Sequence, residues 1–175
     1  MRIDTSKILT WSKASKTKPV KAKPLVTLLV DKTVVNKFLV ATLEGNEPLG
    51  DGVVICIGKS GDVWQQTPKK LLQKYNVTSI DNDGWMVCEP KPDNVVNCIQ
   101  VKNALTLSFA AEAPDEAMYK AHDFYIHGLW GATVPGFGDN IQWGDNGDYV
   151  CQNQTDTSDV WIVKQKIFEN TYKIL

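Results

Sequence analysis

The order of apolar and polar positions along this chain mostly predicts short β-strands. Residues 25–30 and 34–43 are rich in β-branched and large apolar side chains, and the short polar connection between them predicts a hairpin. Residues 44–52 are rich in Gly, Asn and Pro, so we expect a loop there.

A strand, a turn, a second strand and a short helix are predicted next. Residues 53–58 indicate a buried strand, and residues 63–66 indicate a second strand after a glycine-containing turn. Thr67 is a good N-cap, and Pro68 fits the first helical position, where its missing N–H is not needed. The apolar face of this helix would consist of Leu71, Leu72 and Tyr75.

The same order of elements recurs at the end of the chain. Strands are predicted at residues 149–151 and 160–163, followed by a helix at 164–172. An ungapped alignment of residues 50–77 with residues 147–174 contains eight identities. Three pairs in it carry the pattern, namely Asp62 with Asp159, Trp64 with Trp161 and Tyr75 with Tyr172.

Residues that recur at one spacing in two sequence contexts are typical of fold determinants. We therefore predict that the six residues of these pairs have structural roles, as turn aspartates, core tryptophans and helix-docking tyrosines. The pattern also predicts two related halves, each of which ends in a strand, a turn, a strand and a short helix.

The remaining segments complete a β-dominated α+β fold. They comprise strands at residues 85–90, 94–101, 104–110 and 123–131, a helix at 114–121, a turn-rich connector at 79–84 and a glycine-rich loop at 134–147. We divide the chain into a weakly ordered basic leader at residues 1–23, a first half at 24–78 and a second half at 79–175. The two halves are expected to form one compact unit.

The composition is that of an ordinary soluble protein. The chain has 175 residues, of which 43% are apolar and 22% are charged. It contains no apolar run of about 18 residues, and its N-terminal segment lacks an apolar signal-peptide core, so we expect a cytoplasmic protein without a membrane span. Its four cysteines would then be free buried thiols.

The charge is unevenly distributed. Residues 1–23 carry seven basic groups against Asp4 alone, whereas residues 137–160 contain five aspartates and no Lys or Arg. The basic arm is either a solvated tail or a segment that docks on an acidic partner surface or on phosphate.

Assembled catalytic or metal-binding motifs are missing from the sequence. The cysteines lack a C-x-x-C motif, residues 81–84 fail the pattern of a calcium loop, and the glycines do not form a phosphate-binding loop. We predict no metal or cofactor. Asp123, Tyr125 and His127 share one strand face, which is either a small catalytic site with an oriented histidine or a satisfied surface cluster.

Aromatic residues in the predicted loops are the main candidates for binding. Trp130 and Trp143 lie in glycine-rich sequence, and Phe137 is close to both. Exposed aromatic residues on loops provide a large contact area with little side-chain entropy to lose. We predict a ligand site formed by Trp130, Trp143, Tyr125, His127 and Phe137; the alternative is that these rings cover an edge of the core.

The last 29 residues resemble the C-terminal segment of small uncharacterised proteins of tailed phages and prophages. Those proteins end in a Gly-Asp-Tyr-Ile/Val strand, a short turn and a helix with a Phe-x-x-Thr-Tyr finish. The matching residues are Gly147, Asp148, Tyr149, Val150, Phe168, Thr171 and Tyr172, and Asn146 stands where that family often has Pro. The resemblance implies a phage accessory gene and implies no activity.

These observations lead to one functional hypothesis and two alternatives. The hypothesis is a non-enzymatic phage accessory protein that acts by binding in the host cytoplasm, as a counter-defence factor, with a host protein or a small signalling nucleotide as its partner. The sequence argues against nucleic-acid binding except through the basic arm, and it leaves oligomerisation open. The alternatives are a nucleotide-processing enzyme that uses His127 with Asp123 or Tyr125, and a minor virion or assembly component.

Overall fold

Strands make up most of the regular structure, which confirms the β-dominated α+β class. The computed structural model describes residues 2–28, 35–36, 39–42, 45–48, 50, 52–102, 110–111, 122–134 and 138–175. None of the helices among these residues is long and apolar enough to cross a membrane.

The strands are numbered in chain order. They are β1 (Arg2–Ile3), β2 (Ser12–Lys16), β3 (Val20–Pro24), β4 (Val35–Asn36), β5 (Leu39–Thr42), β6 (Gly45–Pro48), β7 (Val54–Gly58), β8 (Val63–Gln66), β9 (Tyr75–Ile80), β10 (Met86–Pro90), β11 (Val95–Gln100), β12 (Ala110–Ala111), β13 (Phe124–Val134), β14 (Gly138–Gly144), β15 (Tyr149–Asn153), β16 (Val160–Val163) and β17 (Tyr172–Ile174). The helices are a 3-10 turn at Thr5–Lys7, α1 (Leu25–Leu28), α2 (Pro68–Lys74) and α3 (Gln165–Thr171).

Two five-stranded sheets have corresponding arrangements of their strands. Sheet 1 has the order β8-β7-β3-β10-β9, and sheet 2 has the order β16-β15-β11-β2-β17. In each sheet a hairpin leads into a helix, and the strand after the helix pairs at the opposite edge. The two helices also end alike, since Lys91 N–H donates to the Lys74 carbonyl and Thr17 N–H donates to the Thr171 carbonyl.

The register of the hairpins shows how the two sheets correspond. Cys56 lies opposite Trp64 in sheet 1, and Cys151 lies opposite Trp161 in sheet 2. Trp161 follows Trp64 by 97 positions, but Cys151 follows Cys56 by only 95, because the second hairpin is two residues longer. The ungapped alignment is therefore correct for the second strand and the helix, and two residues out of register for the first strand.

Neighbouring strands of the chain cross from one large sheet to the other. Strand β2 lies in sheet 2 between β11 and β17, whereas β3 lies in sheet 1. Strand β10 lies in sheet 1 between β3 and β9, whereas β11 lies in sheet 2. Each large sheet thus takes strands from both sides of the sequence boundary that we placed between residues 78 and 79.

Much of the segment that we predicted as a weakly ordered leader forms β2 and β3, which are interior strands of sheets 2 and 1. Ala14 of β2 and Ala22 of β3 are completely buried, while the lysines next to them in sequence point outward or lie at the edge of the interior. The alternation of apolar and polar residues is weak in this segment, because its buried positions are small alanines among many lysines. The sequence pattern therefore did not predict strands here.

Other predictions differ from the structure where pairing overrides local composition. Gly138–Gly144 is a strand and not a loop, since it pairs with β13 and buries Ile141 and Trp143. Gly45–Pro48 is also a strand, and Leu25–Leu28 is helical rather than extended. The predicted helix at 114–121 and nearly all of the predicted strand at 104–110 lie outside the described residues.

The other described strands form two smaller sheets. Sheet 3 has the order β12-β1-β13-β14, and sheet 4 has the order β4-β5-β6. Sheet 3 packs on sheet 2 through an apolar cluster that includes Phe124, Ile126, Val150 and Ile162. The buried Gln142 side chain also joins them, because it accepts a hydrogen bond from Ile162 N–H at 2.9 Å.

The two longer helices are docked by some of their sequence-predicted apolar residues, whereas Leu72, predicted for the apolar face of α2, is exposed. Thr67 Oγ1 accepts from Lys70 N–H at 3.2 Å and caps α2, whose Leu71 enters the core of sheet 1. In α3, Phe168 stacks between the rings of Tyr149 and Tyr172, with centroid separations of 3.7 and 4.7 Å.

All four cysteines are free and buried, as predicted. Burial raises the pKa of the Cys56 thiol to about 12 and that of the Cys98 thiol to about 11. These thiols are apolar core groups at neutral pH.

Adjacent leucines of α2 allow a direct test of this packing. Leu71→Ala should lower the free energy of unfolding by about 2–5 kcal/mol, because it leaves a cavity under the helix. Leu72→Ala should change it by no more than about 0.5 kcal/mol, because Leu72 is 55% exposed. Chemical denaturation measures both, and equal losses would contradict the docking of α2 through Leu71.

Candidate functional site

A pocket lies between the hairpins and helices of sheets 1 and 2. Its internal volume is about 130 Å³, and it is partly open to solvent. We call it the inter-sheet pocket and define it by four aromatic residues, three lysines and two aspartates: Trp64, Tyr75, Trp161, Tyr172, Lys16, Lys70, Lys74, Asp62 and Asp159.

The aromatic residues occupy corresponding positions in the two sheets. Trp64 and Trp161 each lie opposite a buried cysteine on the neighbouring strand and are half-buried themselves. Tyr75 and Tyr172 each begin the strand that follows a helix. Both sheets therefore present the same pair of ring types to the pocket.

Two of the lysines lie over the tryptophan rings. Lys16 Nζ is 4.5 Å from the centroid of Trp64, and it is 5.5 Å from Tyr172 and 6.0 Å from Tyr75. Lys74 Nζ is 4.7 Å from the centroid of Trp161. These distances are those of cation–π contacts, which retain an ammonium group beside a ring.

Few carboxylates offset this positive charge. Lys70 Nζ is buried 2.7 Å from Asp159 Oδ2 without a hydrogen-bonding alignment, so the contact is an ion pair. Lys74 Nζ lies farther from the same oxygen, at 3.8 Å. Lys16 forms no ion pair within the described part of the chain, and the buried Oδ1 of Asp62 accepts no hydrogen bond there.

Burial perturbs both lysines that cover the tryptophans. Desolvation lowers the pKa of Lys16, and the carboxylate of Asp62 opposes this shift. Desolvation likewise lowers the pKa of Lys74, opposed by Asp159. The charged forms of these two lysines are thus destabilised in the unliganded pocket, and a bound anion would stabilise them.

The chemistry of the pocket suits binding. Ammonium groups and open ring faces recognise planar anionic molecules. None of its described lining residues is a serine, cysteine or histidine. Within the described residues, no group of three or more His, Cys, Asp or Glu side chains is placed to hold a metal ion.

The residues that we predicted as a ligand site are brought together only in part. Tyr125 and Trp143 are buried together in sheet 3, with ring centroids 5.3 Å apart. The ring of His127 lies beside that of Tyr125, and its Nδ1 is 3.3 Å from the Asp139 carbonyl. Trp130 lines the inter-sheet pocket instead, and its carbonyl accepts from Gln142 Nε2 at 2.7 Å. Phe137 lies outside the described residues.

Two members of the predicted catalytic group are in contact, since His127 approaches Tyr125 edge-on at a centroid separation of 5.8 Å. Asp123 Oδ2 accepts from Asn146 N–H at 2.7 Å. Among the described residues, His122 Nδ1 contacts a carboxylate, Asp145 Oδ1, at 3.0 Å.

The residues that we predicted to be structural line the pocket. All six residues of the recurring pairs are in its wall, and Tyr75, Trp161 and Tyr172 also pack against the cores of their sheets. The lysines were missed as site residues. Their signals were the basic N-terminal segment, which includes Lys16, and the i,i+4 spacing of Lys70 and Lys74 along one face of α2.

No family model, curated protein or solved structure matches this chain.

The titration of Lys16 is a test of the pocket's electrostatics. Its pKa should lie below the ordinary 10.5, while the pKa of exposed Lys21 should lie above 10.5 because Asp81 accepts a hydrogen bond from it at 2.7 Å. Heteronuclear NMR of the lysine side chains measures both values. A Lys16 pKa at or above that of Lys21 would contradict the described burial.

The lowered pKa of Lys16 also determines how the free energy of unfolding changes with pH. Between the lowered pKa of Lys16 and 10.5, the unfolded chain binds more protons than the folded chain. The contribution of Lys16 to the free energy of unfolding is therefore unfavourable below the folded pKa and disappears as the pH rises through 10.5. The Lys16→Met variant should lack this increase in stability at alkaline pH.

Proposed function

We propose that this protein is a non-enzymatic binding protein that captures a small nucleotide-like ligand in the inter-sheet pocket. The observation that carries this proposal is the placement of Lys16 and Lys74 over the faces of Trp64 and Trp161. A ring face and a nearby cation are the two features that bind a base and a phosphate.

The electrostatics of the pocket support an anionic ligand. Two lysines are held where burial disfavours their charge, and one carboxylate, Asp159, is shared between Lys70 and Lys74. A phosphate would offset the desolvation of both ammonium groups. Buried charge without a close partner destabilises a fold, so its presence favours a role in binding.

The arrangement of the sheets supports two related structural units around this site. Sheets 1 and 2 have the same strand order, and their hairpins have corresponding registers around Trp64 and Trp161. We interpret them as two copies of one unit that exchange β2 and β10, with the pocket between the copies.

Binding without turnover fits the biological role that we inferred from the sequence. The resemblance of the last 29 residues to phage proteins supports an accessory factor that acts in the host cytoplasm. Such a factor would act against host defence by sequestering a signalling nucleotide. The enzyme alternative is less well supported, since Asp123 accepts from the Asn146 backbone and His127 lies 3.3 Å from the Asp139 carbonyl.

Calorimetric titration with AMP and GMP tests the proposal. Lys16→Met should weaken binding about tenfold, or about 1.4 kcal/mol, because it removes a charge from the pocket and keeps the length of the side chain. Lys74→Met should have a similar effect. The matched controls are Lys13→Met on β2 and Lys69→Met on α2, which alter exposed lysines outside the pocket.

Three results would contradict the proposed function. One is the absence of binding to nucleotides and dinucleotides, and another is equal weakening by the control substitutions. The third is product formation during incubation with nucleotides that disappears in His127→Ala, which would establish the enzyme alternative.

A further inference from the structure

We propose that the ligand of the inter-sheet pocket is a dinucleotide, with one nucleotide unit on each lysine–tryptophan pair. This inference rests on the proposed function. The two pairs are Lys16 with Trp64 and Lys74 with Trp161, and their cation-to-centroid distances are 4.5 and 4.7 Å.

Each pair is sufficient for one nucleotide unit. A tryptophan face stacks on a base, and a neighbouring ammonium group binds a phosphate. Both tryptophans occupy the same register position in their sheets and are half-buried. The pocket thus presents two similar surfaces for stacking, and a ligand with one base uses only one of them.

In each pair, the lysine and the tryptophan come from opposite sides of the pocket. Lys16 belongs to β2 of sheet 2, and it covers Trp64 of sheet 1. Lys74 ends α2, which packs on sheet 1, and it covers Trp161 of sheet 2. The two cations are therefore side chains of opposite walls.

Charge also favours two phosphates over one. The lysines with a close carboxylate are Lys70, at 2.7 Å from Asp159, and Lys164, which bridges Asp145 and Asp148. Lys74 is farther from the same carboxylate, at 3.8 Å, and Lys16 forms no ion pair among the described residues. The lysines of the two pairs are therefore neutralised less closely than Lys70 and Lys164, and a dinucleotide supplies one phosphate for each of them.

Ligand entry must displace the two lysines from the rings. The internal volume of about 130 Å³ is smaller than the 300–1,000 Å³ of typical ligand pockets, so the bases need the space that the lysine side chains now fill. Lysine side chains are long and flexible, and they can follow the phosphates as the bases reach the rings. The fluorescence of Trp64 and Trp161 should therefore change on binding.

The experiment compares cyclic di-AMP and the 5′-phosphorylated linear dinucleotide pApA, each with two phosphates, with AMP by calorimetric titration of the full chain. We expect one dinucleotide per chain and an affinity at least about tenfold higher than that of AMP. Trp64→Ala and Trp161→Ala should each weaken dinucleotide binding about tenfold, since each removes one stacking surface. Trp64→Phe and Trp161→Phe should restore most of the affinity, which separates stacking from a loss of folding.

The chain provides a control pair outside the pocket. Lys23 Nζ lies 5.5 Å from the ring centroid of Trp85, a half-buried residue that does not line the pocket. Trp85→Ala should leave the affinity for the dinucleotide unchanged.

The outcomes separate this inference from the proposed function. AMP that binds as tightly as the dinucleotides, with only one of the two tryptophan variants affected, would overturn the inference and leave the proposed function in place. Two AMP molecules that bind independently and as tightly as one dinucleotide would overturn it as well. Failure of both AMP and the dinucleotides to bind would overturn both proposals.

Discussion

The pairing of β2 with β11 and β17 is the interaction on which the rest of the structure depends. It places an early segment of the chain inside sheet 2, between β11 and β17, where Ala14 is completely buried. It also aligns Lys16 with Tyr172, so the lysine reaches the pocket between the sheets. Without this pairing, β17 would lose the strand to which it is hydrogen-bonded, and the pocket would lose the ammonium group of Lys16.

The pocket illustrates how one set of residues can serve both packing and binding. Tyr75, Trp161 and Tyr172 contact the cores of their sheets with part of each ring and face the pocket with the rest. Amphipathic aromatic side chains suit this position, because burial of one side stabilises the fold and the other side lines the pocket. The lysines beside them have no comparable packing role, and the burial that lowers their pKa makes the empty pocket electrostatically unfavourable.

Local sequence signals predicted the hairpins and helices of the two recurring segments well, and they missed strands such as β2 and β14. Thr67 and Pro68 marked the start of α2 correctly, and Phe168 and Tyr172 marked the docked face of α3. Those signals act within one or two turns of helix. The strands β2 and β14 were missed because their stability comes from partners far along the chain, which composition does not reveal.

The sequence by itself determined the two strand–turn–strand–helix segments, since caps, turns and apolar periods depend on neighbouring residues. It also singled out Trp64 and Trp161, although it assigned them to the core alone. Only the tertiary structure placed Lys16 and Lys74 against these two rings. The physical reason is that β2 lies in the opposite sheet from Trp64, so the contact depends on long-range strand pairing and has no local signature.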